Sequence, residues 1–197
     1  MPSKATSKAQ IETNEARLLA AALRCIEKFG VAKTFIEDIA KEAGLSRPTA
    51  YRVFGSRMVL LERVAQERVD LMEAKMKPRM LKYSSFEEAL IKGTVASMNV
   101  AKSDKMFMDI VAELGERGIE RYMVDPKSHA HENIKGVWSD VIDRATESGE
   151  LKAGLTKDEV VNWIASLECI LLLRDDLTAK KDQELFLKKF MVPALLA

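Results

Sequence analysis

Thr34-Phe35-Ile36-Glu37-Asp38-Ile39-Ala40-Lys41-Glu42-Ala43-Gly44-Leu45-Ser46-Arg47-Pro48-Thr49-Ala50-Tyr51-Arg52-Val53-Phe54 reads as two short helices joined by a glycine turn. Thr34 with Glu37 three residues on has the spacing of a capping box, which predicts a helix starting at Thr34. Ile36, Ile39, Ala40 and Ala43 then share one face. Gly44 supplies the left-handed residue that ends the helix. Ser46 is a good cap for a second helix, and Pro48 is tolerated in the first turn, where backbone donors are free anyway. The second helix buries Ala50, Val53 and Phe54 and turns Arg47, Thr49, Tyr51 and Arg52 elsewhere. A helix start carrying arginine, threonine and tyrosine suits the DNA major groove, which admits one helix and presents acceptors to arginine.

Working outward, a leading amphipathic helix, Gly30, Thr34, Ile39-Ala40-x-x-Ala43-Gly44-Leu45-Ser46 and Tyr51-x-x-Phe54-x-Ser56-Arg57-x-x-Leu60-Leu61 follow in order. On these residues, segment 14–64 resembles the DNA-binding domain of the tetracycline-repressor-like (TetR) transcriptional regulators. Four positions depart from the common pattern: Phe35, Ala50, Val53 and Arg57, the last of which keeps the usual positive charge. The resemblance implies that Thr34, Ser46, Tyr51 and Arg57 contact phosphates. Physically, the first three offer hydroxyls, two of them at helix starts whose dipole favours an anion. Arg47, Pro48 and Thr49 are candidates for base edges, with Arg47 suited to guanine and Thr49 to a thymine methyl. Lys33 and Arg52 are expected beside the DNA backbone.

The charge distribution points the same way. Residues 1–60 carry ten Lys/Arg and six Asp/Glu, against twenty-one and twenty-four in the remainder. A basic front on a slightly acidic rear fits a DNA-binding head on a body that does not bind DNA. Gly and Pro are scarce and no strand pattern occurs, so the fold class is all-α: a three-helix helix-turn-helix domain followed by a helical bundle for regulation and dimerisation. The expected division is a flexible tail over 1–10, the helix-turn-helix domain over 11–56, and the ligand-binding and dimerisation domain over 57–197. The tail, with Lys4 and Lys8, is read as a solvated terminus, or else as a basic arm for a minor groove.

Further helices are expected from Ser56 to Met80, with Pro78 near its end, and from Ser85, capped with Glu88, to Ala101. Another runs over Lys105–Leu114 and is broken by Gly115 and Gly118. Asp125-Pro126 reads as the start of a helix to Ser148. Thr156 with Glu159 opens the next, to Leu173, and the last spans Lys181–Leu195. The final pair is apolar over most of its circumference, through Val160, Trp163, Ile164, Leu167, Ile170 and Leu171, then Phe186 and Phe190. Such helices are covered on more than one side, which predicts a four-helix dimer interface built from two copies, as the resemblance also implies.

Ten methionines are many for this length. Met72, Met76 and Met98, with Phe86, Phe107 and Trp138, are candidate lining for a site that takes a small, largely apolar effector. The alternative for each is ordinary core. His129-x-His131 puts two imidazoles on different faces of a helix start, a solvated beginning rather than a zinc site. Glu113 and Glu116 read as a solvated helix end rather than paired acids. No phosphate loop, HExxH, nucleophile elbow or dinucleotide fingerprint occurs, so no enzyme and no cofactor is expected. Cys25 and Cys169 read as buried free thiols. No stretch is long enough to span a bilayer, so no membrane partner and a cytoplasmic location are expected. The sequence therefore predicts a homodimeric regulator, a repressor released from a pseudo-palindromic double-stranded DNA operator by a small-molecule effector. A helical carrier, or a DNA-binding protein without a ligand, are the alternatives.

Overall fold

The computed structural model describes residues 4–174 and 176–197, with side chains from Ile11 onward. The elements are α1 (Lys4–Phe29), a 3₁₀ turn (Val31–Lys33), α2 (Ile36–Glu42), α3 (Arg47–Phe54), α4 (Arg57–Met80), α5 (Phe86–Glu88), a π turn (Ala89–Gly93), α6 (Thr94–Ser103), α7 (Lys105–Val124), α8 (His129–Glu147), α9 (Lys157–Leu173), α10 (Lys180–Phe190) and α11 (Val192–Leu195). Among the described residues there is no strand, and Leu151 and Leu196 form an isolated antiparallel bridge. The all-α reading stands.

The chain forms two compact units. The first holds the residues through Glu67 together with Lys105–Leu114; the second holds Arg68–Asp104 and Gly115–Ala197. The unit boundary falls inside α4, eleven residues beyond the division at 56/57 that the motif suggests, and the first unit recruits a segment remote in sequence. The chain leaves that segment at Gly115, where φ is 70° and ψ 172° in the middle of α7. Without a Cβ, glycine adopts this backbone at little steric cost.

In the first unit α1, α2 and α3 pack on one another. Leu18, Ala21, Ala22, Ile39, Ala50 and Phe54 form their common core, joined by Leu60, Leu61 and Val64 of α4. Gly44 takes φ 63° and lets the chain turn between α2 and α3. Arg17 fastens that turn by donating from Nη2 to the Ala43 carbonyl at 2.7 Å. In the second unit α8 packs on α9, and α6 packs on both α9 and α10. Trp138, Phe86, Met80, Leu90, Ile119, Ile142 and Ile164 are its largest fully buried side chains among the described residues.

Several boundaries differ from the sequence reading for local reasons. Backbone helix begins at Lys4, so residues 4–10 are not an irregular tail; residues 1–3 lie outside the described residues. Thr34 does not cap α2. Phe35 occupies the cap position without a side-chain hydrogen bond, and the Thr34 hydroxyl donates back to the Gly30 carbonyl at 2.8 Å. Asp125-Pro126 forms a turn in which the Asp125 carboxylate accepts from Lys127 N, and Ser128 caps α8. The expected break falls at Gly115, and helix then resumes through Gly118 to Val124. The Ser85 helix runs through a π turn before resuming as α6. The Thr156–Glu159 capping box forms as expected.

Candidate nucleic-acid interface

Ser46 takes an extended backbone and its hydroxyl accepts from Thr49 N at 3.3 Å, so α3 starts where the sequence placed it. Behind α3, Ala50 and Phe54 are buried against the head. In front, Ser46, Arg47, Pro48, Tyr51 and Arg52 are exposed and Thr49 is half-buried. The structure thus gathers six of the nine expected DNA contacts on one short helix. Lys33 is exposed at the end of the 3₁₀ turn.

Tyr51 and Glu37 join α3 to α2 on this surface. The phenol donates to Glu37 Oε1 at 2.9 Å. The Glu37 backbone N–H and that phenol hold its carboxyl below the usual range, and the same bond pushes the Tyr51 phenol up. Arg47 is close enough to add a favourable field to the carboxylate. A single acid therefore sits among the groups expected to meet phosphates, which the apolar periodicity of α2 gave no reason to single out.

Two expected phosphate contacts lie elsewhere. Thr34 is only 1 % exposed and its hydroxyl is engaged with Gly30. Arg57 is an internal anchor: Nε donates to the Thr34 carbonyl at 2.9 Å, Nη2 to the Val31 carbonyl at 2.7 Å, and Nη1 to Glu113 Oε1 at 2.6 Å. Its guanidinium lies 5.8 Å from the Phe35 ring centre. Arginine's planar fork reaches these three acceptors from three separate nitrogens, a spread that lysine's single ammonium nitrogen does not span. Glu113 thus has a definite partner 56 residues away, not the solvated role its sequence context suggested.

The expected dimer residues divide into two sets in the second unit. Val160, Ile164, Leu167 and Leu171 are buried within one chain and belong to its core, correcting their assignment to an interface. Trp163, Ile170 and Phe190 are 40 %, 43 % and 57 % exposed, and Phe186, half-buried, packs its ring 5.0 Å from that of Phe190. Leu173 and Leu185, not singled out in the sequence, extend the exposed apolar set. Of the expected effector-lining residues, Met76, Phe86, Met98 and Trp138 are buried and Met72 is half-buried, all in the second unit. Phe107 belongs to the first unit instead, on the segment Lys105–Leu114. Phe86 borders a cavity of about 200 Å³ whose lining includes Ser84, Arg144, Ser148 and Glu150, a more polar place than expected. His129 Nε2 lies 2.6 Å from Asp70 and His131 Nε2 2.7 Å from Asn162, so the two imidazoles serve different partners.

A buried three-helix core that presents the capped start of its third helix defines a helix-turn-helix domain. Residues 18–64 match the family described as bacterial regulatory proteins, tetR family. An uncharacterized HTH-type transcriptional regulator of Mycobacterium tuberculosis is 28% identical over 96 residues, 48% of each chain. The match thus spans about half the length of that relative. Among solved structures, RolR in complex with the ligand resorcinol aligns over 95% of this chain and 90% of its own, with TM-score 0.65 and 16% identity. The TetR family repressor AlkX from Dietzia aligns over 91% and 94%, with TM-score 0.62 and 17% identity. At these identities the likeness establishes the fold. No described helix is long and apolar enough to cross a membrane.

Proposed function

We propose that the chain is a homodimeric, cytoplasmic repressor that reads a pseudo-palindromic operator and leaves it when a small effector binds the second unit. The observation that carries the DNA reading is the exposed start of α3, where Ser46, Arg47, Pro48, Tyr51 and Arg52 are open and Thr49 is half-buried on a helix whose other face is buried. Arg47 reaches a base edge, while Ser46, Tyr51, Arg52 and Lys33 hold phosphates. Thr34 and Arg57 shape the entry to α2 and position this surface without touching DNA.

The dimer reading is supported by α9. Nine of its residues are buried in the chain's own core, yet Trp163, Ile170 and Leu173, seven and three residues apart, leave an apolar stripe open. A second copy would cover this stripe together with Leu185 and Phe190, and a pair of reading helices would then meet two half-sites. The effector reading is supported by the fold shared with RolR, whose structure holds resorcinol. An effector acts here only by preferring one spacing of the two heads over the other, and about 1–3 kcal/mol of preference is sufficient.

Selection of genomic fragments by the full-length protein at low and moderate salt tests the proposal. Recovery of a pseudo-palindrome that persists at moderate salt supports it. Binding that vanishes with salt reflects phosphate attraction alone and overturns sequence-specific reading. In an operator mutant panel, Arg47→Ala should relax base preference at one position per half-site; unchanged selectivity would remove Arg47 from the base-reading set.

A further inference from the structure

Glu168 stands in the fourth turn of α9, 4 % exposed, with Ala165, Leu167, Cys169, Leu171 and Leu172 buried around it. One carboxyl oxygen, Oε1, has no hydrogen-bond partner. The carboxyl also takes a hydrogen bond from the Trp138 indole, whose only polar atom is a donor, and Trp138 itself is 1 % exposed on α8. A carboxyl placed like this costs stability, and a leucine of similar bulk would not. Burial pushes Glu168 up to about 8, so at neutral pH it holds its proton. A protonated carboxyl that accepts from Trp138 on one oxygen carries a hydroxyl on the other, and that hydroxyl lacks an acceptor.

We propose that Glu168 is the polar anchor for an uncharged effector that offers a hydrogen-bond acceptor, such as the oxygen of a ketone, lactone or phenol. The inference rests on the effector-responsive reading above and names the chemistry of its ligand. A neutral acceptor satisfies the buried hydroxyl without bringing a charge into an apolar interior. An amine would have to take the proton and bury an ion pair, and a hydrocarbon would leave the hydroxyl unmet. Thr94 Oγ1 is likewise fully buried and without a partner, on α6, which packs against α9. Met76, Met80 and Met98, buried in the same unit, are side chains that rearrange at low cost to admit a guest. The pattern resembles the use of a neutral buried carboxylic acid as a hydrogen-bond donor toward a carbonyl.

The test uses the full-length protein carrying Trp163→Phe, which leaves Trp138 as its fluorophore, since the chain has two tryptophans. A size-matched panel of small ketones, lactones and phenols, primary amines, and plain hydrocarbons is titrated by fluorescence and thermal shift. Uncharged acceptors should bind and perturb Trp138 emission. Glu168→Gln, whose amide N–H donates from the same place, should hold them within about threefold, and Glu168→Leu should lose about tenfold or more. Glu168→Leu should melt no lower than the parent, so weak binding is not a folding defect. Equal binding by Glu168→Leu, or preference for amines or hydrocarbons, overturns the assignment. A compound that releases operator DNA equally from parent and Glu168→Leu removes Glu168 but leaves effector response standing. Failure of every class to bind the parent removes both.

Discussion

Arg57→Ala separates an internal anchor from a phosphate contact. The substitution deletes three hydrogen bonds from one guanidinium, two of them to the Val31 and Thr34 carbonyls that flank the 3₁₀ turn leading into α2. The side chain is 22 % exposed and its partner Glu113 33 %, so water replaces part of what is lost. Hydrogen bonds to a charged group contribute about 1.5–3 kcal/mol each when sheltered, and an exposed ion pair contributes under about 1 kcal/mol. Discounted for exposure, the net loss is about 2–4 kcal/mol, a fall of roughly 5–15 °C in melting temperature for a chain of this size. Arg57→Lys should recover less than half, because one ammonium cannot reach all three acceptors in the same geometry. Denaturant titration measures the stability, and operator affinity as a function of salt measures the role. An internal anchor leaves the slope of log affinity against log salt unchanged, whereas loss of a phosphate contact lowers it by about one. A variant as stable as the parent with a reduced salt slope would refute the anchor.

The remaining predictions address other parts of the molecule. Glu37→Gln removes the acid beside Tyr51 and Arg47 on the reading surface, so affinity for all DNA sequences should rise several-fold at low salt, measured by fluorescence anisotropy; unchanged affinity would place Glu37 away from DNA. For Glu168, the folded state keeps a proton that the unfolded chain releases between the ordinary 4.5 and about 8. The folded state is thus the better proton binder in that window, and unfolding free energy should fall as pH rises through it, by up to about 5 kcal/mol. Glu168→Gln should flatten that dependence in denaturant titrations, and an equal slope in both proteins would locate the effect elsewhere. Trp163→Asp and Ile170→Asp place charges on the apolar stripe of α9 and should yield monomers by light scattering; a dimer that persists would show that this stripe is not its seam.

Local chemistry made the reading helix legible. Gly44, Ser46 and Pro48 each act within three or four residues, and the structure puts all three where their chemistry requires. Two local bonds compete for the Thr34 hydroxyl: the cap that its spacing to Glu37 suggests, and the carbonyl of Gly30 four residues back, which wins. Asp125 and Ser128 are rival starts for α8, and Asp125 spends its carboxylate on a turn instead. Arg57 and Glu113 carry no local signal of each other. On α9, Val160, Ile164, Leu167 and Leu171 form one stripe and Trp163, Ile170 and Leu173 the next. Periodicity shows both as apolar, but which stripe the chain itself covers depends on helices far away in sequence.

The first unit is not a contiguous stretch of polypeptide, because Lys105–Leu114 belongs to it and Glu113 supplies a ligand to Arg57. Phe107, Ile110 and Val111 of that segment are buried as well. Portability follows different rules for such a head. A hybrid regulator spliced at residue 67 would inherit another body's version of that segment, with Arg57 facing an unmatched partner. A splice that transplants the Lys105–Leu114 turns along with the N-terminal residues, and keeps a glycine at 115 to let the chain depart, carries the whole folding unit into its new host.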